Sequence, residues 1–208
     1  MYDDWVVPRV LNLALGTKVV GEERGKALAG VKGRVLEVGF GSGHNLPHYP
    51  PGVERVVGVD PSGESARLAR RRIARAPFPV ELVPLAGEQL DAADGSFDSV
   101  VCTFTLCTIG DPLAALGQMR RVLAPGGCLF FVEHGRSDEP RVQRWQDRLN
   151  GAQRWLFGGC NLNRPMDQLI TEAGFELVSL ERYYAPGPRP WGYLYRGVAR
   201  PKVTGSSA

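Results

Sequence analysis

Two periodicities alternate along the chain. Short apolar runs at 34–38 (RVLEV), 55–59 (RVVGV), 80–84, 97–103 (FDSVVCT) and 128–134 (CLFFVEH) read as strands, because each is brief, rich in Val or Phe, and bounded by turn-forming residues. Segments with helical spacing fall between them, at 63–75 and from Asp111 onward. Asp111 suits an N-cap, Pro112 suits the first helical position, and Pro125-Gly126-Gly127 reads as the turn that ends this helix. Helical stretches at 5–15 and 17–29 precede the first strand. After the fifth strand, 139–157 places Trp145, Leu149, Ala152 and Leu156 at roughly helical spacing, which predicts that the tryptophans face the core. A short helix at 165–173 follows, then strands at 175–184 and 191–200 joined by the proline-rich APGPRP. Strands alternating with helices imply a doubly wound α/β sheet, parallel except at its last strand. Ligands of such sheets sit at the carboxyl ends of the strands.

That edge is where the first strand runs into Gly39-x-Gly41-x-Gly43. Closely spaced glycines allow positive φ and close approach of backbone to a ligand. The spacing is not that of a dinucleotide fingerprint, since His occupies position 44, and no Gly-Lys-Ser/Thr follows as in a P-loop. Glu37, inside the apolar run, would repel a pyrophosphate and suit a cation. Asp60 ends the second strand 17 residues after Gly43, where a carboxylate can accept from both ribose hydroxyls. A ribose, a positive charge and no phosphate describe S-adenosylmethionine.

The stretches VLEVGFGSG, VVGVDPS, SFDSVVCTFTLCTIGDP and RRVLAPGGCLFFVEH, over roughly residues 30–135, resemble the successive motifs of class I S-adenosylmethionine-dependent methyltransferases. NLPHYPPG, VCTFTLCTIGDP, FFVEH and GGCNLNR resemble more narrowly the methyltransferase-like seven family of thiol S-methyltransferases. The resemblance implies a Rossmann-like seven-stranded sheet of order 3-2-1-4-5-7-6 with strand seven antiparallel. It implies S-adenosylmethionine as cofactor, S-adenosylhomocysteine as product and no metal. For the site it implies Glu37 toward the sulfonium, Gly39, Gly41 and Gly43 in the turn, Asp60 on the ribose, Pro61 and Ser62 beside the adenine, Gly87 and Glu88 over it, and Thr103 on the methionine side. Many relatives carry Asp where this chain has Ala86.

Methyl transfer is an in-line displacement at an activated carbon, so alignment alone can supply on the order of 7–11 kcal/mol. A thiol acceptor needs modest further help because the thiolate reacts. His134, at the carboxyl end of the fifth strand, is the candidate base; His44, Cys107, Asn163 and Arg164 are candidate acceptor contacts. Pro47 between His44 and His48 argues against a metal pair there. Cys102, Cys107 and Cys160 invite comparison with the arsenic-binding cysteine trio of arsenite methyltransferases, but their sequence positions give no reason to link them. Rival readings are N- or C-methylation of a lipid or quinone-like acceptor, and cofactor binding without turnover.

Composition changes this picture little. With 208 residues and 22.7 kDa, one domain is expected: a helical lid over 1–30, a cofactor core over 31–135, acceptor-side helices and the last strands over 136–200, and a tail from 201. A net charge of +3 gives little support to a nucleic-acid partner and allows at most weak contact with a membrane surface. The arginines of 67–75 read as a solvated helix face. Four cysteines without a C-x-x-C pair, and an N-terminus without a basic leader, lead us to expect a reducing cytoplasm and a small-molecule acceptor.

Overall fold

Alternation along the first strand sets the layers. In β1 (Gly33–Val38), Leu36 and Val38 belong to one buried cluster, whereas Val35 packs in another on the opposite face. The first cluster gathers Leu116, Met119 and Val122 of α4 (Pro112–Val122) with Met166 and Ile170 of α6 (Met166–Glu172). The second takes Leu28 from α2 (Lys18–Leu28) and Ala69 from α3 (Gly63–Ile73). Both faces of the sheet are therefore covered, as parallel strands joined by helical crossovers require.

The computed structural model describes residues 6–202. Its sheet has the order β3-β2-β1-β4-β5-β7-β6, with β2 at Val53–Val59, β3 at Val80–Val83, β4 at Phe97–Thr103, β5 at Leu123–His134, β6 at Phe175–Tyr184 and β7 at Tyr193–Pro201. β7 runs antiparallel to β5 and β6, and the other pairings are parallel. This is the order and polarity expected. The strands reverse direction of winding at β1 and β4, and the glycine turn opens above that point.

Three details depart from the sequence reading. Pro125-Gly126-Gly127 does not separate helix from strand: Leu123 already pairs with Phe97, and the register slips before Cys128 meets Ser99, so these residues form a bulge within β5. Trp191 lies in α7 (Arg189–Gly192), a single turn ahead of β7. The buried residues of α5 (Pro140–Leu156) are Val142, Gln146 and Gln153, not its tryptophans: Trp145 is 55% exposed and Trp155 78%. Gln146 fills that face because it is needed for hydrogen bonding. Its amide accepts from Ser137 N at 3.0 Å and donates to Gly135 O at 2.9 Å and Pro190 O at 3.1 Å. α1 (Val7–Ala14) lies across the carboxyl edge of the sheet near α3. No helix among the described residues is long and apolar enough to cross a membrane.

Candidate active site

A cavity of about 710 Å³ opens at this edge, and its lining includes Gly39, Gly41, His44, Asp60, Pro61, Ser62, Gly87, Glu88 and Thr103. Its floor is the glycine turn. Gly39, Gly41 and Gly43 all have positive φ, at 75°, 56° and 78°, a region where a side chain is strained. Space is equally restrictive at Gly39, where a Cβ would stand 2.0 Å from Thr105 Oγ1. Asp60 holds the turn open: its carboxylate accepts from Gly41 N at 2.8 Å and Ser62 N at 2.9 Å. Burial nevertheless raises its pKa, with those two amides opposing. Ser62 also caps α3 by accepting from Ser65 N at 3.2 Å.

Glu37 and Thr103 share one side of the sheet, because Glu37 pairs with Val101 in the parallel register and Thr103 lies two residues further on. Glu37 is behind the cavity wall rather than in it. Asn45 Nδ2 donates to it at 2.9 Å and the Tyr49 hydroxyl at 2.7 Å. Burial pushes its carboxyl pKa up to about 7, against the lowering influence of Tyr49, Arg24 and Asn45. Asn45 passes the connection on: its amide oxygen accepts from Arg24 at 2.7 Å, and Arg24 also donates to Thr103 Oγ1 at 2.5 Å.

Arg24 was not singled out in the sequence, where it looks like one more charge on an ordinary helix. In the fold it lines the cavity, is 5% exposed, and its Nε is buried without a partner among the described residues. It lies 5.1 Å over the ring of Phe104, itself held at φ 53°, a strained conformation for a bulky residue that often marks a functional site. Above it, α1 contributes Val7, Leu11 and Asn12, its C-cap contributes Leu15, and the end of α5 contributes Arg154 and Trp155. His44 Nε2 lies 3.0 Å from Asn12 O, which fixes it as the donor. Burial and the neighbouring Arg72 and Arg24 hold its pKa down at about 4, so the ring is neutral near pH 7.

The other expected residues lie outside this lining. Asn163 donates outward to Asp147 at 2.8 Å. Arg164 donates to the carbonyls of Leu106 and, at 2.7 Å, Ile109, clamping the loop that follows β4. Cys107, within that loop, is 2% exposed. His134 turns Nε2 toward Cys160 Sγ, 3.1 Å away. The Cys160 thiol is pulled down to about 4 by hydrogen bonding from Cys107 and by His134. Burial works against charge on His134, but the sulfur and Glu133 overcome it and raise the imidazole to about 9. Glu133 is fully buried and accepts from three successive amides, Thr105 N at 2.7 Å, Leu106 N at 3.0 Å and Cys107 N at 3.4 Å. Its signal in the sequence was the same as that of Glu37: a carboxylate inside an apolar strand.

A sheet of this order, with a glycine turn after β1 and a carboxylate following β2 at its carboxyl edge, defines the class I S-adenosylmethionine-dependent methyltransferases. The family model described as "Methyltransferase domain" matches residues 36–131. Human thiol S-methyltransferase TMT1A is 38% identical over 180 residues, covering 81% of this chain and 73% of that protein. Human thiol S-methyltransferase TMT1B is 37% identical over 174 residues, covering 80% and 69%. A solved methyltransferase structure from Bacillus halodurans superposes with a TM-score of 0.68 at 21% identity, over 86% of this chain and 96% of that one. The chain belongs to the thiol S-methyltransferase family and is an S-adenosylmethionine-dependent enzyme.

Proposed function

We propose that the protein methylates the sulfur of a small, lipophilic thiol. The observation that carries this reading is the charge of the cavity wall. Its two carboxylates, Asp60 and Glu88, are both engaged with backbone amides, Glu88 accepting from Asp111 N at 3.3 Å. The lining from α1, Phe104, Thr108, Trp155, Gly158 and Gly159 is mostly apolar, and the cationic groups of the cavity are Arg24 and Arg154. Cations beside a thiol lower its pKa from about 8.5 and raise the thiolate fraction. The same cations would repel an ammonium acceptor, which would also need a base to remove its proton.

S-adenosylmethionine, when bound, supplies a methyl group already activated by its sulfonium. The turn of Gly39, Gly41 and Gly43 admits its chain closely, and Asp60 accepts from the ribose. Pro61, Ser62, Gly87 and Glu88 border the base. Arg24 lines the cavity, and its cation suits the amino-acid carboxylate of the cofactor, with Thr103 beside it. Helix α1 acts as the lid, and exposed Leu13 and Trp155 offer an apolar approach for the acceptor.

The test is transfer of labelled methyl to matched thiols, amines and phenols, with the methylated atom identified by mass spectrometry and Asp60→Ala as control. Thioether that disappears in the control is expected. Label on nitrogen or carbon, with thiols inert, rejects thiol methylation.

A further inference from the structure

Behind the cavity wall, three loops meet at one point. Cys107 comes from the loop after β4, His134 from the end of β5, and Cys160 from the turn that Gly158 and Gly159 make at positive φ, 58° and 91°. Cys160 Sγ is 3.6 Å from Cys107 Sγ and 3.1 Å from His134 Nε2, and the three atoms lie within 4.8 Å of one another. We propose that Cys107, His134 and Cys160 form a binding site for one thiophilic d10 metal ion, of the zinc(II) or copper(I) class, which fastens the three loops beneath the acceptor wall.

The geometry is close to what such an ion needs. Zinc–sulfur bonds of about 2.3 Å place two thiolates of a tetrahedral site roughly 3.8 Å apart, so the two sulfurs already stand near coordination distance. The imidazole must withdraw from Cys160 by a few tenths of an ångström and come to a similar reach of Cys107, from which it lies within 4.8 Å. Two sulfurs and one imidazole are the donors that soft ions select over magnesium or calcium. The scaffold is rigid on each side. Asn161 N donates to Cys107 O at 2.8 Å, and Asn161 Nδ2 donates to the same oxygen at 2.9 Å. Glu133 gathers the amides of the Cys107 loop. Nε2 of the His134 ring faces the Cys160 sulfur, and Nδ1 is buried without a hydrogen-bond partner among the described residues. Cys107 and Cys160 are 2% and 7% exposed, so the sulfurs are shielded from solvent. On coordination Cys107 gives up its thiol proton and the Cys160–His134 pair gives up the proton between them, both to solvent, and no electron changes hands.

Neither the cofactor nor an acceptor is needed for the test. Reduced protein, stripped of metal and kept free of oxygen, is titrated with zinc(II) and with copper(I), each against a chromophoric chelator. One equivalent of at least one ion is expected, with a rise in melting temperature that chelator reverses. Cys107→Ser and Cys160→Ser should each lose tenfold or more in affinity. Cys102→Ser should not, because its sulfur faces Glu133 at 3.6 Å and not the cluster. Alkylation of the wild-type protein, in a denaturant concentration at which the metal-free form reacts at Cys107 and Cys160, followed by peptide mapping, provides a measurement that does not depend on any variant folding. Bound metal should protect Cys107 and Cys160 and leave Cys128 as reactive as before. Binding of neither ion, affinity unchanged in Cys160→Ser, or metal that protects neither cysteine would each overturn the site.

Discussion

The glycine-turn side of the cavity and its far wall are built in opposite ways. Asp60, the three glycines and Ser62 come from one continuous stretch, and most of their contacts are with backbone. The far wall is collected from α1, Arg24 of α2, the loop after β4 and the end of α5. It has no motif of its own, and it depends on buried side chains such as Glu133 and Gln146 to hold its loops. A turn that must admit a fixed ligand constrains consecutive residues. A wall that must suit an acceptor needs only the right chemistry from whichever elements reach it.

Substitutions should separate the two sides. Arg24→Leu should have the largest effect because it touches both: it removes a partner from Asn45 and Thr103 and leaves the cavity without its buried cation. Groups hydrogen-bonded to charge contribute about 1.5–3 kcal/mol each, so kcat/KM should fall by about a hundredfold. Retention of wild-type kcat/KM would remove Arg24 from the site. Asp60→Ala should raise the cofactor Kd between about ten- and a hundredfold on the same scale, with little change in acceptor KM at saturating cofactor. Calorimetry and steady-state kinetics read the two quantities separately. Arg154→Ala is the converse case: a rise of a few fold in thiol KM, with cofactor Kd unchanged. Parallel changes in both constants would mean that Arg154 does not belong to the acceptor wall alone.

The smallest effect concerns pH. The pKa of Glu37 is raised by burial to about 7 in the folded protein, above its ordinary 4.5. Between those values the folded state holds the proton more tightly than the unfolded state, so stability falls as pH rises. This contribution is complete below about 4.5 and is lost through about 7. Glu37→Gln should therefore melt with less decline between pH 5 and pH 8 than the wild type, in the absence of cofactor. Identical slopes would show that Glu37 does not titrate in this range.

The same contrast explains what could be read in advance. Sheet order was legible because the successive motifs resemble those of a family, and the Gly39–Gly43 turn and Asp60 stood out because each is constrained locally. Arg24 was not, since a buried arginine on a helix looks the same in sequence as an exposed one until Asn45 and Thr103 are folded against it. Cys107 and Cys160 are 53 residues apart, and only the packing of two loops brings their sulfurs together. Apolar spacing misled at Trp145 and Trp155, because hydrogen-bonding demand at Gly135 and Ser137 gave the buried face of α5 to glutamines.

The most direct measurement is the pKa of an acceptor thiol inside the cavity. An aromatic thiol would be titrated by its thiolate absorbance while bound to the enzyme together with S-adenosylhomocysteine. With Arg24 paired to the cofactor carboxylate, Arg154 should bring its pKa below that of the same thiol free in buffer, and Arg154→Ala should return most of the difference. A bound thiol that titrates at or above its free value would contradict a wall built to favour the thiolate.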